Sequence, residues 1–226
     1  MNIDGTTLVL LAVAALPWLG GIVESIDLPG GGSVHYRRLE ERIEVTERYA
    51  GEASHTAQAA LGAASAGRPG AALGETGEAP AKVTELAARY EEVRATPRGP
   101  ARTESMSRLF GELMAWTPLV DTFDVAAALG SSDAGLRLAA YARLYATGDT
   151  AFLNELLRTL MEIEDKPFSQ YWGIRALSVL QQVGAEIPAD DVARLRARFA
   201  TLPRASDRRM ELNRVLQAAT GVAQHI

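Results

Sequence analysis

The alternation of apolar and polar positions changes character several times along this chain. Residues 5–23 (GTTLVLLAVAALPWLGGIV) form a nineteen-residue uncharged run between Asp4 and Glu24. A bilayer core about 30 Å thick takes roughly 20 apolar residues in a helix rising 1.5 Å per residue, so the run predicts a single transmembrane helix. The preceding Met-Asn-Ile-Asp lacks the basic residues of a signal peptide, and Leu-Pro-Trp-Leu-Gly-Gly is a poor cleavage end, which favours an uncleaved anchor. Arg37, Arg38 and Arg42 follow the run while only Asp4 precedes it as a charged side chain, which predicts the bulk of the chain on the cytoplasmic side of the cell membrane. Pro17 would kink the last turn, and Trp18 falls where an interfacial indole is often found. The competing reading is a buried helix of a soluble domain, because the span is short and holds Gly5, Gly20 and Gly21.

In residues 24–36 (ESIDLPGGGSVHY) the period falls to two. Ile26 and Leu28, then Val34 and Tyr36, alternate with polar residues on either side of Pro-Gly-Gly-Gly, a β-hairpin signal; the bland alternative is a plain juxtamembrane loop. Residues 37–64 turn helical. Tyr36, Leu39, Ile43, Thr46, Ala50, Ala53, Ala57, Ala60 and Ala64 are spaced by alternating threes and fours, a heptad seam that predicts a helical stalk able to form a homo-oligomer. The seam decays to alanine, which buries little area, so the same residues also read as a solitary Ala-rich helix. Residues 65–103 are predicted as a flexible linker interrupted by one short amphipathic helix over 81–95, with Val83, Leu86, Tyr90 and Val93 on one face. Two such breaks predict a C-terminal body mechanically decoupled from anchor and stalk.

Residues 104–226 carry a helical period throughout. Helices are predicted over 104–116, 119–129, 133–146, 150–164, 167–183 and 189–201, with a capping helix over 206–220. Ser132 or Asp133, Asp149 and Ser206 are placed to accept orphan N–H groups, Pro167 and Pro188 suit first turns, and Gly130, Gly148 and Gly184 end what precedes them. Gly135-Leu136-Arg137 recurs as Gly173-Ile174-Arg175, a period that suits stacked helix pairs of the HEAT-like kind. The fold class expected is therefore mainly α: a transmembrane helix, a short β-hairpin and helical stalk, then a HEAT-like α-helical repeat domain.

Charge and chemistry narrow the function. With 23 Lys and Arg against 28 Asp and Glu the chain is mildly acidic, which does not call for nucleic acid as a partner. The absence of cysteine excludes disulfides and thiolate metal sites. His35, His55 and His225 are scattered through hairpin, stalk and final dipeptide, and the glycine runs lack the context of a phosphate loop, so no catalytic residue, metal or cofactor is expected and an enzyme is disfavoured. Glu162, Glu164 and Asp165 read as a solvated acidic turn rather than a general acid/base pair. Beyond residue 188, Arg194, Arg196, Arg198, Arg204, Arg208, Arg209 and Arg214 outnumber Asp190, Asp191, Asp207 and Glu211. Mixed signs of this kind usually make an ion-paired solvated face; the alternative is a surface for lipid head groups or an acidic partner.

The segment Asp165-Lys166-Pro167-Phe168-Ser169-Gln170-Tyr171-Trp172-Gly173-Ile174-Arg175, with GLRLAAYARLYATGD upstream, is the richest in unusual residues. It resembles an uncharacterised group of bacterial proteins that join an N-terminal apolar segment and a Leu-Pro-Gly-Gly turn to a helical domain. The likeness covers about residues 8–36 and 105–180 and implies no reaction. On the residues themselves, Phe168, Tyr171 and Trp172 read as anchors between helices with Gly173 allowing close approach. The functional alternative is a partner-binding groove made of Tyr141, Tyr145, Phe168, Gln170, Tyr171, Trp172 and Arg175. The expectation is thus a membrane-anchored, non-enzymatic interaction or scaffold protein whose partners are the lipid bilayer and a protein not identified by sequence. Its rival is an effector whose clustered span perturbs the bilayer.

Overall fold

The computed structural model describes residues 56–61, 63–64, 77–203 and 205–222. The predicted anchor, the hairpin and most of the stalk lie outside these residues. The described part is mainly helical, with no strand among the described residues and no helix there long and apolar enough to cross a membrane.

The helices are α1 (Ala79–Ala95), α2 (Pro100–Trp116), α3 (Val125–Leu129), α4 (Ala134–Thr147), α5 (Leu153–Arg158), α6 (Pro167–Gln182), α7 (Ala189–Arg198) and α8 (Asp207–Val222). α1, α4, α6 and α8 pack side by side in that order, while α2 and α3 cover α4, α5 lies on α6, and α7 lies on α8. Capping chemistry explains the boundaries. Asp133 accepts from the N–H groups of Gly135 and Leu136 at 2.7 and 3.1 Å, Asp124 from Ala127 at 2.9 Å and Asp149 from Ala151 at 3.1 Å. α4 ends where Gly148 takes φ 65°, a left-handed conformation that costs a residue with a side chain 1–2 kcal/mol or so.

Two predicted helices are broken. Over 119–129 the chain instead makes a 3-10 turn, Thr117–Leu119, then the five-residue α3, because Pro118 brings no N–H and Asp124 starts a new helix. Arg143 donates to the carbonyls of Thr117 and Val120, which also accept the backbone N–H groups of Val120 and Phe123, and so ties this turn to α4. Over 150–164 the 3-10 turn Thr150–Phe152 leads into α5, and the last turn widens to a π-helix at Thr159–Ile163. The Thr159 hydroxyl bonds the carbonyls of Leu129 and Glu155 at that point, so the helix enters the wide turn pinned to α3.

The predicted boundary at residue 104 is not found. α1 buries Ala79, Val83, Leu86, Ala87 and Tyr90 against α2 and α4, and Gly135 lies so close to the Ala87 carbonyl that an added Cβ would stand 2.6 Å from its carbon. Of Thr96 to Thr103, read as a decoupling linker, only residues 96–99 stand outside a helix, as a short exposed turn before Pro100 starts α2. The Pro and Gly there punctuate a tight helical hairpin rather than separate two bodies. Further upstream, Ala59 is buried and its carbonyl, with the Ala63 N–H, sits against Gly111, while the seam positions Ala57, Ala60 and Ala64 are exposed. The end of the predicted stalk therefore touches α2 through a stripe other than the heptad seam.

Candidate functional site

The N-terminus of α6 is held by a buried charge. Glu164 is 0 % and Arg137 3 % exposed. Arg137 Nε and Nη2 donate to the two carboxylate oxygens of Glu164 at 2.9 and 3.3 Å, the Tyr141 hydroxyl donates at 3.1 Å, and the Lys166 backbone N–H at 2.9 Å. Arg137 Nη1 also reaches the carbonyls of Ser131 and Ser132 at 2.8 and 3.1 Å, which ties down the loop before α4. Burial works against the Arg137 cation, yet the Glu164 carboxylate holds its pKa above the ordinary arginine value. Glu164 thus departs from the expected solvated turn: Glu162 and Asp165 are exposed, but the wide turn carries Glu164 inward onto α4.

Beside this network lies an open cleft of about 1010 Å³ between the end of α1, the start of α2, and the N-termini of α6 and α8. Tyr90, Met106, Phe168 and Tyr171 supply its apolar lining. Arg94, Arg98, Arg102, Lys166 and Arg208 stand around them, with Asp165 and Asp207. The Tyr90 and Ser169 hydroxyls share a 2.9 Å hydrogen bond and the Tyr90 and Phe168 rings lie 6.0 Å apart, so α1 and α6 fix each other here. Arg102 Nη1 donates to the carbonyls of Arg94 and Thr96, both at 3.2 Å, which caps the end of α1. Lys166 pairs with Asp165 at 2.9 Å, and this partner holds the Asp165 carboxyl below its usual range. Arg208 donates to the Gln170 side-chain oxygen, Gln170 donates in turn to the Glu164 carbonyl at 2.8 Å, and burial lowers the Arg208 pKa. Cleft and buried carboxylate are therefore one hydrogen-bonded unit.

The seven residues predicted to line a groove separate. Phe168 and Tyr171 do line the cleft, and Gln170 sits behind its wall as the link between Arg208 and Glu164. Tyr141 and Trp172 are core residues at 0 % exposure, inaccessible to any partner. Trp172 stacks on Phe110 at 3.8 Å, with Tyr145 edge-on at 5.7 Å. Tyr145 accepts from Arg175 Nη2 at 3.2 Å, and Arg175 Nη1 lies 3.6 Å from Glu211; neither Tyr145 nor Arg175 lines the cleft. Helical geometry explains the split, since consecutive residues project about 100° apart and a contiguous motif cannot face one groove. Gly173 does permit close approach: a Cβ there would lie 2.7 Å from Leu160 Cδ2 and 3.3 Å from the Tyr141 ring.

Sequence reasoning missed Arg94, Arg98, Arg102 and Lys166. Their signal was the basic spacing of 94, 98 and 102 across the Pro97–Pro100 turn, which becomes a cluster only when the two helices fold back on each other. No group of three or more metal-ligating side chains comes together among the described residues.

Tyr90 makes this site sensitive to alkali. Burial raises its phenol to about 12, against partial relief from the Ser169 hydrogen bond and the Arg94 charge, and burial together with Glu164 raises Tyr141 as well. A raised phenol pKa means the folded state keeps a proton that the unfolded chain gives up near 10. Stability is therefore expected to hold below that point and to fall as pH rises toward 12. Urea unfolding at successive alkaline pH values measures this, and Tyr90→Phe, which has no proton to lose, should fall less steeply.

No family model matches the chain, and no curated protein and no solved structure shows significant similarity to it.

Proposed function

We propose that this chain is a membrane-tethered, non-enzymatic interaction protein in which residues 5–23 span the cell membrane once and a cytoplasmic helical body offers the basic, aromatic-lined cleft to a protein partner. The observation that carries this reading is the cleft itself: aromatic surface for contact area, ringed by guanidinium groups that bring direction. The side-by-side order of α1, α4, α6 and α8 supports a HEAT-like stack, an architecture used chiefly for binding. Arg137 and Arg175, at matching places in the two Gly-x-Arg triplets, each turn to a glutamate, Glu164 and Glu211, which supports the repeat further.

Fractionation of cells expressing the intact chain tests the tether. The chain is expected to sediment with membranes and to need detergent for release, whereas a variant lacking residues 5–23 should stay in the aqueous fraction. An intact chain that is monodisperse in water without detergent would sink the tethered reading. Residues 1–64 expressed alone separate a passive anchor from a membrane-perturbing one: inert membrane targeting fits the scaffold, and dye leakage or growth arrest replaces it with the effector.

A further inference from the structure

Three of the five cleft cations meet no carboxylate among the described residues. Among the described residues no carboxylate lies within ion-pair distance of Arg98, Arg102 or Arg208; Lys166 has Asp165, and Arg94 reaches Glu91 only at 3.8 Å. Arg102 Nε–H is buried with no acceptor, although its Nη1 caps α1. Arg208 is half-buried with a neutral hydrogen-bond partner, Gln170, where its charge has lost water and the neighbouring Asp207 acts on it without forming an ion pair. A cluster of this kind is left short of negative charge on the side that faces the cleft.

Size and shape limit what supplies that charge. A cleft of about 1010 Å³ is far larger than an inorganic anion requires and lies at the upper end of the roughly 300–1,000 Å³ typical of ligand sites. The cations line a recess between helix ends rather than stand on a flat face, a shape that a chain segment enters and a bilayer surface does not. Tyr90, Met106, Phe168 and Tyr171 line the same recess, so its occupant must carry apolar surface together with its carboxylates. The planar guanidinium fork of arginine matches a carboxylate in two hydrogen bonds.

We infer that the cleft binds an acidic peptide segment, one in which Asp or Glu side chains flank an aromatic or aliphatic residue. The carboxylates meet Arg98, Arg102 and Arg208 while the apolar side chain lies against Phe168 and Tyr171. This rests on the protein-interaction reading above and gives that partner its chemistry; it does not depend on the membrane tether.

The test uses the full chain in detergent micelles and a fluorescein-labelled pool of hexapeptides with Asp or Glu at four positions and Phe or Leu at two, read by fluorescence anisotropy. The matching pool with Asn and Gln in place of the acids should bind at least tenfold more weakly. Binding of the acidic pool should weaken steeply between ~50 and ~500 mM salt. Arg98→Glu, on an exposed turn, should weaken binding about tenfold with an unchanged far-ultraviolet circular dichroism spectrum, and Arg208→Glu should do at least as much. Equal binding of the acidic and neutral pools, or indifference to Arg98→Glu, overturns the proposal. So does the pattern in which the peptides fail to bind while phosphatidylserine vesicles bind and lose that binding on Arg98→Glu, which would make the cleft a lipid head-group site. Loss of peptide binding with normal membrane sedimentation counts against the cleft alone, and the reverse result against the tether alone.

Discussion

Arg137→Ala is expected to lower the unfolding free energy by about 3–5 kcal/mol, the range found when one partner of a buried ion pair is removed. The reason is less the lost attraction than what stays behind: the Glu164 carboxylate would remain out of water with only the Tyr141 hydroxyl and the Lys166 N–H as donors. The carbonyls of Ser131 and Ser132 would lose their donor as well, so the turn leading into α4 should loosen. Urea unfolding of three proteins reads this out: wild type, Arg137→Ala, and the double variant Arg137→Met with Glu164→Leu. The double variant should recover part of the loss, because it removes both charges and keeps the volume, but not all of it, because Tyr141 and Lys166 still lose an acceptor. A single variant within about 0.5 kcal/mol of wild type would show the pair to be inert.

Trp172→Ala should cost a similar amount, about 3–5 kcal/mol, through the cavity it leaves among Phe110, Tyr145, Phe168 and Tyr171. Trp172→Phe separates packing from polarity. The buried indole N–H meets no acceptor, a defect worth about 1–3 kcal/mol. Phenylalanine removes that group but fills less space, so the two effects oppose each other and the variant should lie within about 1 kcal/mol of wild type. A Phe variant as damaged as the Ala variant would mean that the indole N–H is satisfied after all. Neither substitution acts by removing a binding contact, because the ring is enclosed by protein on all sides.

Much of the helical body was legible from local pattern. Asp133, Asp149 and Gly148 act where the sequence placed them, because a cap is decided by a residue and its next few neighbours. The tight contact at Gly173 was likewise foreseen from a glycine inside an aromatic helix. What local pattern could not supply was pairing at a distance. The stripe of Val83, Leu86 and Tyr90 was visible, but the Tyr90 hydroxyl meets Ser169, 79 residues along the chain, so Pro97 and Gly99 beside it read as a break. Glu164 looked solvated because Glu162 and Asp165 flank it, while its partner lies 27 residues upstream. The repeated Gly-x-Arg triplet held the missing clue, since it sets Arg137 and Arg175 at equivalent places on adjacent helices. In the aromatic motif, composition pointed to the right neighbourhood and the helical rotation assigned the roles.

The shared burial between α1 and the later helices bears on how this molecule would tolerate cutting. The short turn at residues 96–99 is the natural place for a protease to clip, being exposed on every residue. A clip there would not release the upstream piece, which would stay clasped by Leu86, Tyr90 and the Gly135 crossing. The severed halves would travel together under native conditions and separate only once denatured, a split pair that completes a single core from two strands of backbone.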